Sequence, residues 1–208
     1  MINVIFDMDG TLINSSNAIC SAVNEISRDL NLKTLEHKFI MQTINTPGKD
    51  WAKILYNIDN FEHSTFKEGF EKYFIKHYKQ SVILYDGVLK VLEFLKDKNC
   101  FIAIATNAPQ SSLSTVLEKH NILPYFDKAL GVSFDIEPKP SPMMLKRIQA
   151  EAKFNKTIFV GDSAKDKLAA QNANIPYIHA KWGEDKCEKD EFTNADELIK
   201  LIQDFINL

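Results

Sequence analysis

Apolar residues recur along this chain in two rhythms. Near the start, Ile2-Asn3-Val4-Ile5-Phe6 is an almost unbroken apolar run, the pattern of a short strand buried on both faces. From Tyr85 onward, runs of the same kind alternate with helical stretches. Gly87 to Lys98 places Val88, Val91, Leu92 and Leu95 on one face, and Cys100-Phe101-Ile102-Ala103-Ile104-Ala105 reads as the next strand. A helical pattern with Leu113, Val116 and Leu117 follows, then another with Met144, Leu145 and Ile148. Thr157-Ile158-Phe159-Val160 is again strand-like, and the small-residue stretch Ala164 to Ala173 predicts a helix packed close to it. Pro176-Tyr177-Ile178-His179 predicts a last strand, and Thr193 to Asn207, with Leu198, Ile199, Ile202 and Phe205, a closing amphipathic helix. Strands alternating with helices predict βαβ units and a parallel, Rossmann-like α/β sheet.

The stretch from Ser15 to about Val82 keeps only the helical rhythm. Ile19, Ala22 or Val23, Ile26 and Leu30 share one face, and Phe66, Phe70, Phe74 and His77 or Tyr78 share another, beginning near a Thr65-x-x-Glu68 capping box. Nine of the 22 aromatic residues fall here, too many for a loop. The expectation is an α/β core domain of residues 1–14 and 83–208 interrupted by a small α-helical cap domain of residues 15–82. The crossings near Asn14-Ser15 and Ser81-Asp86 would act as hinges, and closure would keep water from the site. The Thr46-Pro47-Gly48 turn, Lys49 and Trp51 could line that site, although a tryptophan is more often part of a core.

Chemistry-bearing residues gather at the ends of the predicted strands. Phe6-Asp7-Met8-Asp9-Gly10-Thr11-Leu12 sets two acids where the first strand ends, and in parallel α/β sheets ligands bind beyond the carboxyl ends of strands. One acid there can attack an electrophile while the other moves a proton. Asp-x-Asp-Gly also occurs in calcium loops, but counting from Asp7 the twelfth position is Ala18, which cannot supply the closing carboxylate. An aspartate nucleophile suits phosphoryl transfer, which calls for a cation, hydrogen-bond donors and usually Mg²⁺.

Each of those parts occurs downstream. Thr106-Asn107 offers a hydroxyl, a backbone N–H and an amide to a phosphate, or alternatively caps the helix after it. Prolines on both sides restrict Lys139 in Glu137-Pro138-Lys139-Pro140-Ser141-Pro142, so its ammonium can be held inward at little entropic expense. Ser141 and Pro142 there read as the N-cap and first residue of the next helix. Gly161-Asp162-Ser163-Ala164-Lys165-Asp166 ends a strand in an acid that can bind a cation opposite Asp7. Asp166 lies four residues on and faces the same way, a repulsive pairing that a shared cation or a lysine relieves.

In this order the four segments resemble the motifs of the haloacid dehalogenase-like hydrolase superfamily. Asp7-Met8-Asp9-Gly10-Thr11 is similar to its first motif, Thr106-Asn107 to the second, Lys139 to the third and Gly161-Asp162-Ser163-x-x-Asp166 to the fourth. The layout resembles the helical-cap subgroup that includes phosphoglycolate phosphatases and β-phosphoglucomutases. The resemblance implies that Asp7 is a nucleophile forming a phospho-aspartyl intermediate and that Asp9 is the general acid and base. It implies that Thr106, Asn107 and Lys139 bind phosphoryl oxygens. Mg²⁺ would be held by Asp7, the Asp9 carbonyl and Asp162, with Asp166 directly or through water. Asp9 argues against a dehalogenase, whose version of the motif usually lacks the second acid. Asn14 departs from relatives that often carry an acid there. The implied activity is hydrolysis of a small phosphomonoester, of the phosphoglycolate or sugar phosphate class. A phosphomutase is the alternative, and a non-catalytic phosphate-binding module a remoter one.

Composition narrows the picture further. A net charge of -3 implies no broad basic surface for nucleic acid. Only Arg28 and Arg147 are arginines, so the chain has little to build bidentate clamps for phosphate from, and Lys139 gains weight as the main fixed cation. Cys20, Cys100 and Cys187 have no metal or disulfide spacing, Cys20 being expected on a cap helix and Cys100 in the strand core. The five histidines His37, His63, His77, His120 and His179 share no spacing. With a strand beginning at Ile2 and no apolar stretch of membrane length, the expectation is a cytoplasmic enzyme without a signal segment. It would be a monomer or small homo-oligomer acting on a small-molecule phosphate ester, with no nucleic acid or membrane partner.

Overall fold

The structure, a computed structural model, describes residues 1–46, 49–58, 63–185 and 187–207. The side chains of residues 63–68, 71, 79 and 80 are outside that description. The chain divides into two compact units, one of Met1–Ile13 and Leu84–Leu208, the other of Asn14–Ile83.

The first unit carries a six-stranded sheet. Its strands are β1 (Asn3–Phe6), β4 (Phe101–Pro109), β5 (Lys128–Val132), β6 (Thr157–Gly161), β7 (Tyr177–Ala180) and β8 (Glu191–Phe192), in the order β5-β4-β1-β6-β7-β8. All neighbouring pairs are parallel, with β1 central between β4 and β6: Phe6 lies opposite Ile104 on one side and Val160 on the other. Parallel strands need crossovers, and α5 (Val88–Asp97), α6 (Leu113–Lys119), α7 (Met143–Glu151), α8 (Ala164–Ala173) and α9 (Ala195–Asn207) supply helices between or after them. Every residue of β1 is buried, as both faces of such a sheet are covered. Asn3 is the polar exception inside β1, and its amide is satisfied by Thr157 Oγ1 at 2.9 Å and by both backbone groups of Phe154.

Helix faces follow the sequence pattern closely. Val88, Val91, Leu92 and Leu95 are all buried on α5. On α8 the buried Ala169, Ala170 and Ala173 pack into the cluster around Ile5, Phe159 and Met144, since methyl side chains allow a close approach to the sheet. Two boundaries differ from expectation. β4 does not stop at Ala105 but continues through Thr106 and Asn107 to Pro109, followed by a 3-10 turn over Gln110–Ser112. The strand containing Tyr177 is not the last, because β8 adds an edge pair, His179 opposite Glu191 and Ala180 opposite Phe192. Two residues are too few to give a readable alternation.

The second unit is helical: α1 (Ser16–Asp29), α2 (His37–Asn45), α3 (Trp51–Tyr56) and α4 (His63–Ser81). Its core joins Cys20, Val23 and Ile26 of α1 to Ile40 and Ile44 of α2 and to Leu55 of α3. Trp51 packs partly buried against that cluster. Asn14 Oδ1 accepts from the Ser16 hydroxyl at 2.8 Å and backbone N–H at 3.3 Å, a turn that starts α1. The Asp50 side chain caps α3 by accepting from Lys53 N–H at 3.1 Å. Glu25 on α1 holds both Lys76 and His77 of α4, at 2.9 and 2.8 Å. Pro47 and Gly48 of the proposed turn, and the side chains of the Thr65–Glu68 box, lie outside the described residues. Where the chain passes between the units, β2 (Ile13–Asn14) and β3 (Ile83–Leu84) pair as a separate two-stranded sheet. No described helix is long and apolar enough to cross a membrane.

Candidate active site

Three central strands bring their carboxyl ends together, and Asp7, Thr106, Asn107 and Asp162 lie at or just beyond those ends. Asp7 follows β1 directly, its N–H still in the ladder with Val160 O at 2.8 Å. The register that pairs Phe6 with Ile104 and Val160 sets Asp7 between the Thr106 segment of β4 and the Gly161-Asp162 end of β6. Asp7, Asp162 and Asp166 offer carboxylate oxygens within 4.8 Å of one another. The Asp9 carboxylate is not a member of that set.

Lys139 enters the same group from the loop before α7. Its Nζ is 2.5 Å from Asp7 Oδ1 and 2.5 Å from Asp166 Oδ1, and it stands 5.3 Å over the Phe159 ring. Lys139 is 4% exposed, Asp7 6% and Asp166 1%, so the ion pairs are screened little by water. The lysine's backbone is fixed too. Its N–H donates to Asn107 Oδ1 at 2.7 Å, and Asn107 Nδ2 donates to its carbonyl at 3.0 Å. The Asn107 amide thus grips the Lys139 peptide, a use that the sequence did not reveal.

Thr106 is buried, and its Oγ1 accepts from Ala108 N–H at 3.2 Å. The pairing of β4 with β5 shifts register between Ala105 and Pro109, which frees Thr106, Asn107 and Ala108 from a regular ladder. Such an irregularity re-aims side chains and releases backbone donors at a sheet's working edge. On α8 a capping box holds Asp166: its Oδ2 accepts from Ser163 N–H at 3.0 Å and Ser163 Oγ at 2.6 Å. Asp166 is therefore oriented by the helix start, with its other oxygen on Lys139. Ser141 does not begin α7 as expected. The helix starts at Met143, one residue after Pro142, and Ser141 Oγ accepts from Met143 N–H at 3.4 Å.

Two glycines leave room for these acids. Gly10 has φ +87°, and a Cβ there would lie 2.1 Å from Asp162 Oδ2. A Cβ on Gly161 would lie 2.6 Å from the Cβ of Asp166.

Charge crowding sets the electrostatics. Burial raises the Asp7 carboxyl to about 7; Lys139 pulls it back only in part, and Asp166 adds to the rise. Burial, then Asp7 and Asp166, push Asp162 well above the ordinary carboxylate range. Burial alone would lower Lys139, but the carboxylates of Asp166 and Asp7 hold it above its usual value. The three clustered carboxylates are all hard oxygen donors, so the group suits an oxygen-seeking divalent cation. Nothing in the hydrophobic pattern marked Trp182, whose indole reaches the turn after Asp9 from the loop beyond β7. Its only sequence signal is rarity, as one of two tryptophans.

Comparison with known proteins agrees with this arrangement. The haloacid dehalogenase-like hydrolase family matches residues 4–180. Among curated relatives, the probable phosphatase IndB of Dickeya dadantii is 30% identical over 188 residues, covering 86% of this chain and 81% of its own. A phosphoglycolate phosphatase of Colwellia psychrerythraea is 30% identical over 194 residues, covering 86% and 84%. The crystal structure of a predicted phosphoglycolate phosphatase from Haemophilus somnus superposes with a TM-score of 0.81 at 24% identity, covering 97% of each chain. The chain belongs to the haloacid dehalogenase-like hydrolases, with the helical insertion as its cap, and is a phosphatase-type enzyme of that family.

Proposed function

We propose that this protein is a Mg²⁺-dependent phosphatase that hydrolyses a small phosphomonoester, of the phosphoglycolate or sugar phosphate class, through a phospho-aspartyl intermediate on Asp7. The observation that carries the reading is the buried group in which Lys139 bridges Asp7 and Asp166 beside Asp162. Relatives named as phosphoglycolate phosphatases at 26 to 30% identity support the substrate class.

In the first half-reaction an Asp7 oxygen attacks phosphorus, the P–O ester bond breaks, and Asp9 gives its proton to the departing oxygen. In the second, Asp9 takes a proton from water, the water oxygen adds to phosphorus, and the P–Oδ bond to Asp7 breaks to free phosphate. Lys139 and the Thr106 hydroxyl hold the phosphoryl oxygens, and Asn107 contributes by keeping the Lys139 peptide in place. Asp7, Asp162 and Asp166, with the Asp9 carbonyl, would hold Mg²⁺, which supplies charge neutralisation at the nucleophile and the phosphoryl group. The raised pKa of Asp7 supports that need, because a nucleophile has to be ionised at neutral pH.

A panel of phosphomonoesters, assayed for phosphate release with Mg²⁺ and with chelator, tests the reading. Metal-dependent release is expected, strongest on small esters. Isomerised sugar phosphate in place of free phosphate marks a mutase, and tight phosphate binding without turnover of any ester marks a binding module.

A stability measurement follows from the same charges. Asp7 titrates higher in the folded chain than in the unfolded one. Its contribution to stability is therefore fully present below about pH 4 and lost as pH rises through about 7. Without metal, this contribution falls between pH 5 and 8. Added Mg²⁺ should raise the melting temperature more at pH 8 than at pH 5, as read by calorimetry. An equal shift at both values counts against a carboxylate metal site.

A further inference from the structure

Trp182 stands outside all four sequence segments, yet it is bonded to the turn that carries Asp9. Its Nε1–H donates to the Thr11 carbonyl at 2.8 Å. Tyr85 stacks on its face, with centroids 4.9 Å apart and planes 7° from parallel, and Phe192 packs at right angles with centroids 5.0 Å apart. The backbone N–H of Tyr85 in turn donates to the Leu12 carbonyl at 3.1 Å. Two successive carbonyls after Asp9-Gly10 are thus held by one aromatic stack.

Inside the turn, the N–H groups of Leu12 and Ile13 converge on Met8 O at 2.9 and 3.0 Å, and Gly10 N–H donates to Ile13 O at 2.7 Å. These bonds define the shape of the turn but do not anchor it to the rest of the unit. The indole N–H does, and it comes from a residue 171 positions away. The stack also lies near the chemistry: burial raises the Tyr85 hydroxyl to about 12, with the charges of Asp162 and Asp9 adding to it.

We propose that Trp182 is a positioning residue for Asp9, its indole N–H fixing the turn so that the Asp9 carboxyl meets the departing ester oxygen. The proposal rests on the general acid role given to Asp9 above. A carboxyl that has lost its fixed direction transfers its proton poorly, while the Lys139 group that holds the phosphoryl is untouched.

The test compares two esters that differ chiefly in how much their oxygen needs a proton. Phenoxide leaves with difficulty unless protonated, and p-nitrophenoxide leaves readily without it. The value of kcat/KM covers events up to departure, when the P–O bond breaks, the phosphoryl passes to Asp7 and the proton of Asp9 passes to the oxygen. Trp182→Phe keeps a ring between Tyr85 and Phe192 and removes only the N–H. The expected result is a loss of about tenfold in kcat/KM on phenyl phosphate and under about twofold on p-nitrophenyl phosphate. Equal losses on both esters, or none on either, overturn the proposal. Wild-type protein that hydrolyses neither ester overturns the phosphatase reading itself and this proposal with it. Benzothienylalanine in place of tryptophan in a Trp51→Phe chain replaces the N–H by sulfur at unchanged shape. Compared with Trp51→Phe carrying ordinary tryptophan, it should give the same split between esters. Absence of that split overturns the proposal even if Trp182→Phe is too unstable to assay.

Discussion

Asp7→Asn is expected to lower turnover of p-nitrophenyl phosphate by about 10⁴-fold or more and to leave the melting temperature unchanged or higher. An amide oxygen is a poor nucleophile, and neither Lys139 nor Thr106 can replace the attacking atom. Stability should survive because the exchange removes charge from a crowded place. Asp7 is held up near 7 by burial and by Asp166, so its ionised form is disfavoured where it stands. Asparagine keeps the shape and relieves repulsion on Asp162 and Asp166, while Lys139 retains its contact with Asp166. Phosphate release and a thermal melt on the same preparation check both halves. Substantial remaining turnover rejects Asp7 as nucleophile.

Lys139→Met should damage both properties. Turnover is expected to fall about 10²- to 10³-fold, the size of effect seen when a fixed donor to a transition-state oxygen is lost. Stability at pH 8 should fall by about 3–5 kcal/mol, because two carboxylates that shared one ammonium remain buried without it. That loss should shrink toward pH 5, where Asp7 takes up a proton and the repulsion ends. Urea unfolding at the two pH values reads it. A variant as stable as the parent at pH 8 means that the lysine is not a structural partner of these acids. The contrast with Asp7→Asn is one of sign: removing an acid eases the cluster, and removing the lysine bonded to two of its acids unbalances it.

Most of the sheet was legible because parallel strands buried on both faces read as apolar runs, and Asp7, Thr106 and Asp162 stand where such runs end or become polar. An inserted helical segment was legible for the opposite reason, because residues 15–82 keep a helical rhythm with no strand run interposed. What stayed hidden depends on partners far along the chain. The continuation of β4 through Thr106 and Asn107 reflects an irregular pairing with β5, which local propensity does not encode. The two bonds between Asn107 and the Lys139 peptide join residues 32 apart, and nothing near Asn107 announces them. Seen alone, Asn107 is a donor for phosphate or a cap. Trp182 was invisible for the same reason, since its importance lies in what it touches. By contrast Asp166 was readable from its spacing to Asp162, and the capping box with Ser163 explains its orientation as well as its place.

The position of β1 at the centre of the sheet bears on how the enzyme comes into being during synthesis. The strand that precedes Asp7 is translated well before the partners that flank Asn3, since Phe101 and Thr157 lie about 100 and 150 residues further along the chain. At cellular elongation rates of roughly 5–20 residues per second, about 8 to 30 seconds separate the first strand from its second neighbour. Until β4 emerges its apolar run and hydrogen-bonding groups have neither native neighbour, and until β6 follows one edge stays bare, a window in which an exposed apolar strand is open to misassociation.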